Sequence, residues 1–202
     1  MRTPVLPDWI REATVSGYES AHRICPDETR LYGTESLFGD WRARVLVLAK
    51  VFGPTALLHE RRRAGDLRPY RHAPEWRSNR RIAELAAPLR AHGLLYGSAL
   101  ANLLRTDGRA RGALPNRAAA LEYAARATRF AIEHMPNLQL VLCLGREAWE
   151  AATAARGLEG DWQRYRDGCE PLDLLVAGFH PSARVPGEFV ARPFELAAHL
   201  LG

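Results

Sequence analysis

Four short apolar runs, each halted by turn-forming residues, constrain this chain more than anything else in it. They are Val45 to Ala49, Ser98 to Leu104, Leu138 to Leu144 and Leu172 to Phe179. A strand buried on both faces reads as about four to eight continuous apolar residues bounded by turn formers. Around these runs lie stretches with helical spacing. Ile82, Leu85, Ala86 and Leu89 follow an i, i+3, i+4, i+7 pattern behind Ser78-Asn79, which can cap a helix. Arg117 to His134 is periodic throughout, Gly145-Arg146-Glu147 opens a helix reaching Ala155, and Phe189 to Leu201 forms a last one. Strands alternating with helices predict an α/β fold with a parallel sheet and right-handed crossovers.

The remaining segments read as connections. Asp8 to Ala21 has helical spacing and Pro26 to Asp40 is irregular, so residues 1 to 40 form a lead-in. Gly93 to Gly97 reads as a turn, and Thr106 to Asn116 and Gly157 to Pro171 read as loops. A chain of 202 residues, 47% hydrophobic and 25% charged, fills one α/β domain, and no repeat or linker divides it, so a single domain over 1–202 is expected. No apolar stretch approaches the roughly 18 to 20 residues that span a bilayer. MRTPVLPDWIREA lacks the apolar core of a signal peptide. The expectation is a soluble, cytoplasmic protein with no membrane partner.

Cys25, Cys143 and Cys169 stand far apart with no C-x-x-C, which speaks against a disulfide framework or a cysteine-only metal site. Cys143 lies inside an apolar run and reads as a core residue. His22-Arg23-Ile24-Cys25 has H-x-x-C spacing, but no further ligands accompany it. No metal and no cofactor are expected. There is no G-x-G-x-x-G and no G-x-x-x-x-G-K-[ST], so dinucleotide and P-loop readings have no motif behind them.

Charge points to a polyanionic partner. The formal net charge is +5, and every basic residue except Lys50 is arginine, which recognises phosphate bidentately and stacks on bases. Thr55 to Arg77 concentrates arginine (Arg61, Arg62, Arg63, Arg68, Arg71, Arg77), with Tyr70 and Trp76 interleaved with charge and with Pro69 and Pro74. Basic residues interleaved with aromatics suit unpaired bases; the same pattern reads equally as a solvated loop anchored by two aromatics. Two strands end in polar punctuation: Lys50-Val51-Phe52-Gly53-Pro54 after the first and His180-Pro181-Ser182 after the fourth. Open α/β sheets bind ligands beyond the carboxyl ends of their strands, so both ends are candidate walls of one pocket.

With these residues in order, the chain resembles the uracil-DNA glycosylase superfamily over most of residues 22 to 200. Cys25 to Leu48 with its strand-end motif looks like the approach to that family's motif A. Asn102, in SALANLLRTDG, falls where the family places an asparagine that reads the uracil edge. FAIEHMPNLQLVLCLGREAWEAA, Phe130 to Ala152, is similar to the branch that carries an iron–sulfur cluster, and HPSAR at His180 matches motif B. The resemblance implies a three-layer sandwich with a central four-stranded parallel sheet flanked by helices. It implies a base-excision activity on uracil-containing DNA, with single strands suited by the basic aromatic loop. Removing a base requires flipping the nucleotide into a pocket and stabilising the departing anionic base. His180 would donate to the uracil oxygen, Asn102 would read the O4 and N3–H edge, and Phe52 or Tyr70 would stack on the base beside Ala49. Lys50 would meet the uracil oxygen or a phosphate, while Ser182, Arg184 and Arg71 would hold the DNA backbone.

Two departures from the family stand out. The cluster-binding branch uses four cysteines; here only Cys25 lies near such a position and Thr106 stands near another, so no iron–sulfur cluster is expected. Motif A normally carries a water-positioning carboxylate or asparagine, and the aligned residue is Val51, which can neither accept a proton nor orient water. Either another group, such as Glu60, Asp66 or Glu75, places the water, or the protein binds DNA or damaged bases without efficient turnover. A small-molecule α/β enzyme unrelated to DNA shares the same fold-level pattern.

Overall fold

The computed structural model describes residues 3–73, 76–109, 112–168 and 170–202. Its elements, in chain order, are α1 (Asp8–Arg11), β1 (Tyr18–Ser20), α2 (Ala21–Ile24), β2 (Val45–Ala49), α3 (Thr55–Arg63), α4 (Arg77–Leu85), β3 (Leu94–Ser98) and β4 (Leu103–Arg105). There follow α5 (Arg117–Glu133), β5 (Leu140–Leu144), α6 (Arg146–Arg156), α7 (Trp162–Gly168), β6 (Pro171–Leu172), β7 (Leu175–Gly178) and α8 (Gly187–Leu201). Single 3-10 turns occupy Gly33–Ser36 and Ala87–His92.

The main sheet runs β3-β2-β5-β7-β6, with the first four strands parallel and β6 antiparallel to β7. The expected sheet is therefore present but carries a fifth, two-residue edge strand. The apolar run read as one strand from Leu172 to Phe179 folds back on itself at Asp173, whose φ is 55°, so its first residues pair with its own continuation. Helices cover both faces, giving three layers. Period-two alternation splits β2 cleanly: Leu46 and Leu48 join the core under α5 and α6, while Val45, Val47 and Ala49 join the core under α4 and α8.

The second strand departs from its expected place. Leu94–Ser98, read as a turn because of its flanking glycines, is the strand, and the run from Ser98 to Leu104 is instead split by a turn over 99–102, its last two residues opening β4, which pairs with β1. Gly97 is needed inside β3 because the Tyr32 ring packs on it; a Cβ there would lie 2.7 Å from Tyr32 Cζ. The lead-in likewise forms a four-residue helix and a strand rather than one helix over Asp8 to Ala21. Within Thr55 to Arg77 the chain forms α3, and within Gly157 to Pro171 it forms α7. No helix among the described residues is long and apolar enough to cross a membrane.

This topology opens one crevice. From β2 the chain leaves towards α4, whose Ile82 packs on one face of the sheet; from β5 it leaves towards α6, whose Ala148 and Trp149 pack on the other. Adjacent strand ends that diverge to opposite faces form the switch point at which such sheets bind ligands.

Candidate active site at the carboxyl ends of the sheet

Three neighbouring parallel strands, β2, β5 and β7, deliver Lys50, Glu147 and His180 to this edge. Lys50 spans the crevice: its Nζ donates to Glu147 Oε1 at 2.5 Å and to the Gly112 carbonyl at 2.8 Å. The ammonium is thus committed to a carboxylate on the first turn of α6, not held open for a phosphate or a base. Val51 is half-buried and packs against the core, and Ala49 is buried in β2 with its carbonyl accepting from Ala99 N at 2.7 Å. Ala49 therefore forms the floor of the sheet and offers nothing polar to a ligand.

His180 is half-exposed in the turn after β7. The backbone N–H of Ser182 donates to its Nδ1 at 3.1 Å, and Ser182 Oγ lies 2.8 Å from the same nitrogen. A nitrogen that accepts an N–H cannot carry the proton, so the network assigns the neutral ring's proton to Nε2. Ser182 thereby orients the histidine; its hydroxyl proton is spent on the ring rather than on a phosphate, which corrects its expected role. Beside it, Arg77, Ser78 and Arg81 of α4 face Pro181, Ser182 and Arg184 across a cleft of about 420 Å³. Arg81 Nη1 fixes the turn by donating to the Pro181 carbonyl at 2.9 Å. Arg184 and Arg77 are exposed at its rim. Wider clefts of about 880 Å³, between α5 and Thr14-Val15, and about 650 Å³, between Cys25–Arg30 and Arg62–Pro69, contain no strand-end residue. The second mixes both signs of charge along its walls and lacks the uniformly basic character of the arginine cleft.

Next to His180 lies an aromatic cluster. Phe52 is 7% exposed, with ring centroids 5.1 Å from Tyr70, 4.6 Å from His72 and 6.5 Å from Trp76. It sinks so deeply because residue 33 is glycine: a Cβ on Gly33 would lie 2.3 Å from Phe52 Cε2. Tyr70 is fully buried beneath it and donates its hydroxyl to Leu31 O at 3.0 Å and Ala101 O at 3.1 Å. Tyr70 is a core anchor rather than a stacking platform, because its ring has no face left to offer a base.

His72 is buried at 7% exposure. Asn79 Nδ2 donates to Ala73 O at 2.6 Å, which turns Asn79 Oδ1 towards His72 Nδ1 at 3.1 Å. Nδ1 thus faces the Asn79 oxygen, and Nε2 is buried without a hydrogen bond of good geometry. Burial drives the His72 pKa down to about 4; Asn79 and the nearby Phe52 backbone pull the other way, while Arg61 and His180 add to the depression. The ring is neutral at physiological pH.

The largest correction concerns Asn102. Its side chain is fully buried and points away from the strand ends, into the lead-in. Nδ2 reaches Ile10 O at 2.8 Å, Ser20 Oγ at 2.7 Å and His22 Nδ1 at 3.2 Å, and Oδ1 accepts from the Tyr123 hydroxyl. Its donors and its oxygen are all engaged within the protein and the side chain is fully buried, so the amide faces no base. His22 is occupied as well, with Nε2 on the Arg30 carbonyl at 3.0 Å, and no cluster able to hold a metal occurs among the described residues. Cys143 is fully buried, its thiol pushed up by desolvation, as a core residue should be.

Of the groups considered for placing water, Glu60 is exposed on α3, and Asp66 is tied to the Arg68 N–H at 2.8 Å with Arg71 at 3.8 Å. Glu75 lies outside the described residues, as does Cys169. Arg71 is exposed and lies 3.8 Å from the Asp66 carboxylate. Sequence reading missed His72, Glu147 and Arg81, and took Arg77 only as part of an arginine-dense loop. Glu147 carried a usable signal, two residues beyond the third strand's terminal glycine. Arg77 and Arg81 carried another, being one helical turn apart. The chain matches no protein-family model and no curated protein.

Proposed function

We propose that the protein binds DNA along the carboxyl edge of its sheet and hydrolyses the N-glycosidic bond of uracil or a related deaminated base. The observation that carries this reading is the placement of His180: the Ser182 N–H bonds its Nδ1, which puts the ring proton on Nε2, and the ring stands beside an arginine-lined cleft. Such a fixed donor stabilises the anionic base as the bond breaks. Arg77, Arg81 and Arg184 hold flanking phosphates while the nucleotide is extruded, at a cost of a few kcal/mol. Val51 cannot position water, and Glu147 takes that part: it is the carboxylate bonded to the segment that follows β2. A cytoplasmic location accords with this reading, since Cys25 and Cys143 are free thiols.

A second reading, a DNA-binding protein that does not turn over, is favoured by one observation: Glu147 is engaged by Lys50. One assay separates them. Excess protein is incubated with a single-stranded oligonucleotide carrying one uracil, followed by alkali. Hydrolysis predicts strand breaks at the uracil with wild type and a loss of about a hundredfold or more with His180→Ala. Salt-sensitive binding with no breaks at long times leaves only the second reading, and no salt-sensitive binding at all removes both.

A further inference from the structure

The arginine cleft beside the turn after β7 gathers more positive charge than one backbone phosphate carries. We infer that it is a phosphomonoester site, which takes the terminal phosphate of a DNA strand in preference to an internal diester. This assignment rests on the proposed function and narrows its substrate class to a deaminated base at or next to a phosphorylated strand end.

Three features support it. First, the cavity is basic without compensation. No carboxylate lines its volume of about 420 Å³, and among the described residues no ion pair involves Arg77, Arg81 or Arg184. Arg30, Arg105 and Arg156, by contrast, each meet a carboxylate at 2.6 to 2.8 Å. Glu84 on α4 and Glu188 on α8 are exposed and paired with none of the three. Like charges gathered in one cleft repel, and an arriving anion relieves that repulsion. Second, donors remain unused. Arg81 is half-buried and donates from Nη1 to Pro181 O at 2.9 Å, which holds its guanidinium in place. Its Nε and Nη2 have no acceptor among the described residues, and neither has the Ser78 hydroxyl. An arginine fork grips two oxygens of one phosphate at once. Third, two helix ends add to the field. The first turn of α4 lines the cleft and has no side-chain cap, and α8 starts after Pro186 equally uncapped. A Cβ on Gly187, the first residue of α8, would lie 3.8 Å from Arg81 Nη2, so the guanidinium reaches that turn too. Free N–H groups and the macrodipole favour anions at such ends.

Charge and oxygen count decide which phosphate fits best. An internal diester carries a single negative charge. A monoester carries about −1.5 to −2 at pH 7 and presents three acceptor oxygens, so it answers more of the three guanidiniums and leaves fewer donors unmet. Internal phosphates still meet the same arginines, but less completely. Pro181 and Ser182, which wall the cleft, directly follow His180 in the chain. The phosphate held there therefore belongs to the nucleotide whose base meets His180 or to the one beside it. A free nucleotide presents the same group, and competition separates the two sources.

The test uses the full chain and fluorescent single-stranded oligonucleotides that end in 2′-fluoro-2′-deoxyuridine, which resists hydrolysis, with a 5′-phosphate or a 3′-phosphate on that nucleotide. Each is compared with a hydroxyl-ended strand one nucleotide longer at that end, in which the same phosphate is an internal diester. At least one phosphorylated strand should bind about tenfold tighter than its longer counterpart, as one added charge-assisted hydrogen bond implies. Inorganic phosphate replacing chloride at matched ionic strength should abolish that preference. Arg81→Gln should erase it, while Arg81→Lys, which keeps the charge and loses the fork, should retain a part. Arg184→Ala, at the exposed rim, should weaken it without touching the Arg81–Pro181 bond; circular dichroism verifies that all three variants fold. Equal binding within both pairs overturns the inference and leaves the proposed function standing. A preference that survives in folded Arg81→Gln places the terminal phosphate elsewhere and overturns it as well. Displacement by 2′-deoxyuridine 5′-monophosphate as effective as by the unlabelled phosphorylated strand overturns the strand end as the ligand in favour of a free nucleotide. If wild type binds no strand, the proposed function fails too.

Discussion

Asn102→Ala distinguishes what the sequence resemblance implies from what the structure holds. If the amide read the base, alanine would abolish recognition and leave stability nearly intact. The structure demands the reverse. Removing the amide strands the Tyr123 hydroxyl and His22 Nδ1, which have no other partner, whereas Ile10 O still accepts from Ala13 and Ser20 Oγ keeps Arg11 O and the His22 N–H. Each stranded buried group costs about 1 to 3 kcal/mol, so the loss should centre near about 4 kcal/mol. For a chain of this size about 1 kcal/mol shifts Tm by roughly 2 to 4 °C, so the variant should melt about 8 to 16 °C lower. Below that temperature its preference for uracil over cytosine should match wild type. Thermal melts followed by circular dichroism, with oligonucleotide binding at 15 °C or about that, measure both quantities. An unchanged Tm together with lost discrimination would show that the amide faces the ligand, and the buried network described above would be wrong.

Two further outcomes follow from the charges. Burial raises the Glu35 carboxyl to about 7 despite hydrogen bonds from the Tyr32 N–H and Trp41 Nε1. The folded state therefore holds that proton more tightly than the unfolded chain does, a contribution full below pH 4.5 and lost as pH rises through about 7. Urea unfolding should show the stability of wild type relative to Glu35→Gln falling by about 3 kcal/mol across that window. His72 works in the opposite sense, its contribution being full above pH 6.5 and lost as pH falls towards about 4, so wild type alone should show a shallow net profile. A flat difference between wild type and Glu35→Gln would contradict the burial of that carboxyl. At the arginine cleft, Arg77→Ala with Arg184→Ala should lower the slope of log affinity against log salt by about 1.4 on single-stranded DNA, about 0.7 for each phosphate no longer neutralised. An unchanged slope places the DNA elsewhere.

The runs Val45 to Ala49 and Leu138 to Leu144 were legible as buried strands because a doubly covered strand needs only apolar residues between turns. β3 was not, since its glycine answers to the Tyr32 ring, which arrives from a segment with no strand pattern. β1 and β4 escaped for a similar reason: each is three residues long, and they exist only because they pair with each other across the chain. At the site, His180 was readable from its place after a strand. Asn102 misled because the direction of its side chain is set by Ala101, a residue with φ of 47° whose carbonyl is clamped by Tyr70 and Ser98. Alanine gives no sign that it occupies the left-handed region, where glycine or asparagine would.

Whether Glu147 supplies the water-positioning carboxylate that the proposed hydrolysis needs, and that Val51 cannot supply, is decided by a rescue experiment. General-base assistance supplies about 10²- to 10⁴-fold, so Glu147→Gln should slow uracil release by that range under single-turnover conditions while DNA affinity stays the same. Val51→Asp places a carboxylate one residue from Lys50, the residue that already grips Glu147. In the wild-type background the new charge faces Glu147 with one ammonium between them, and like-charge repulsion should raise the proton affinity of one of the two carboxyls. The gain there should be small. In the Glu147→Gln background that repulsion is gone, Lys50 is released to hold Asp at 51, and release should recover most of what was lost. The two substitutions must then be strongly non-additive, in the direction of compensation. Additive losses, or an equal gain from Val51→Asp in both backgrounds, would mean that Glu147 and position 51 serve no common water, and that the Lys50–Glu147 pair only braces the crevice.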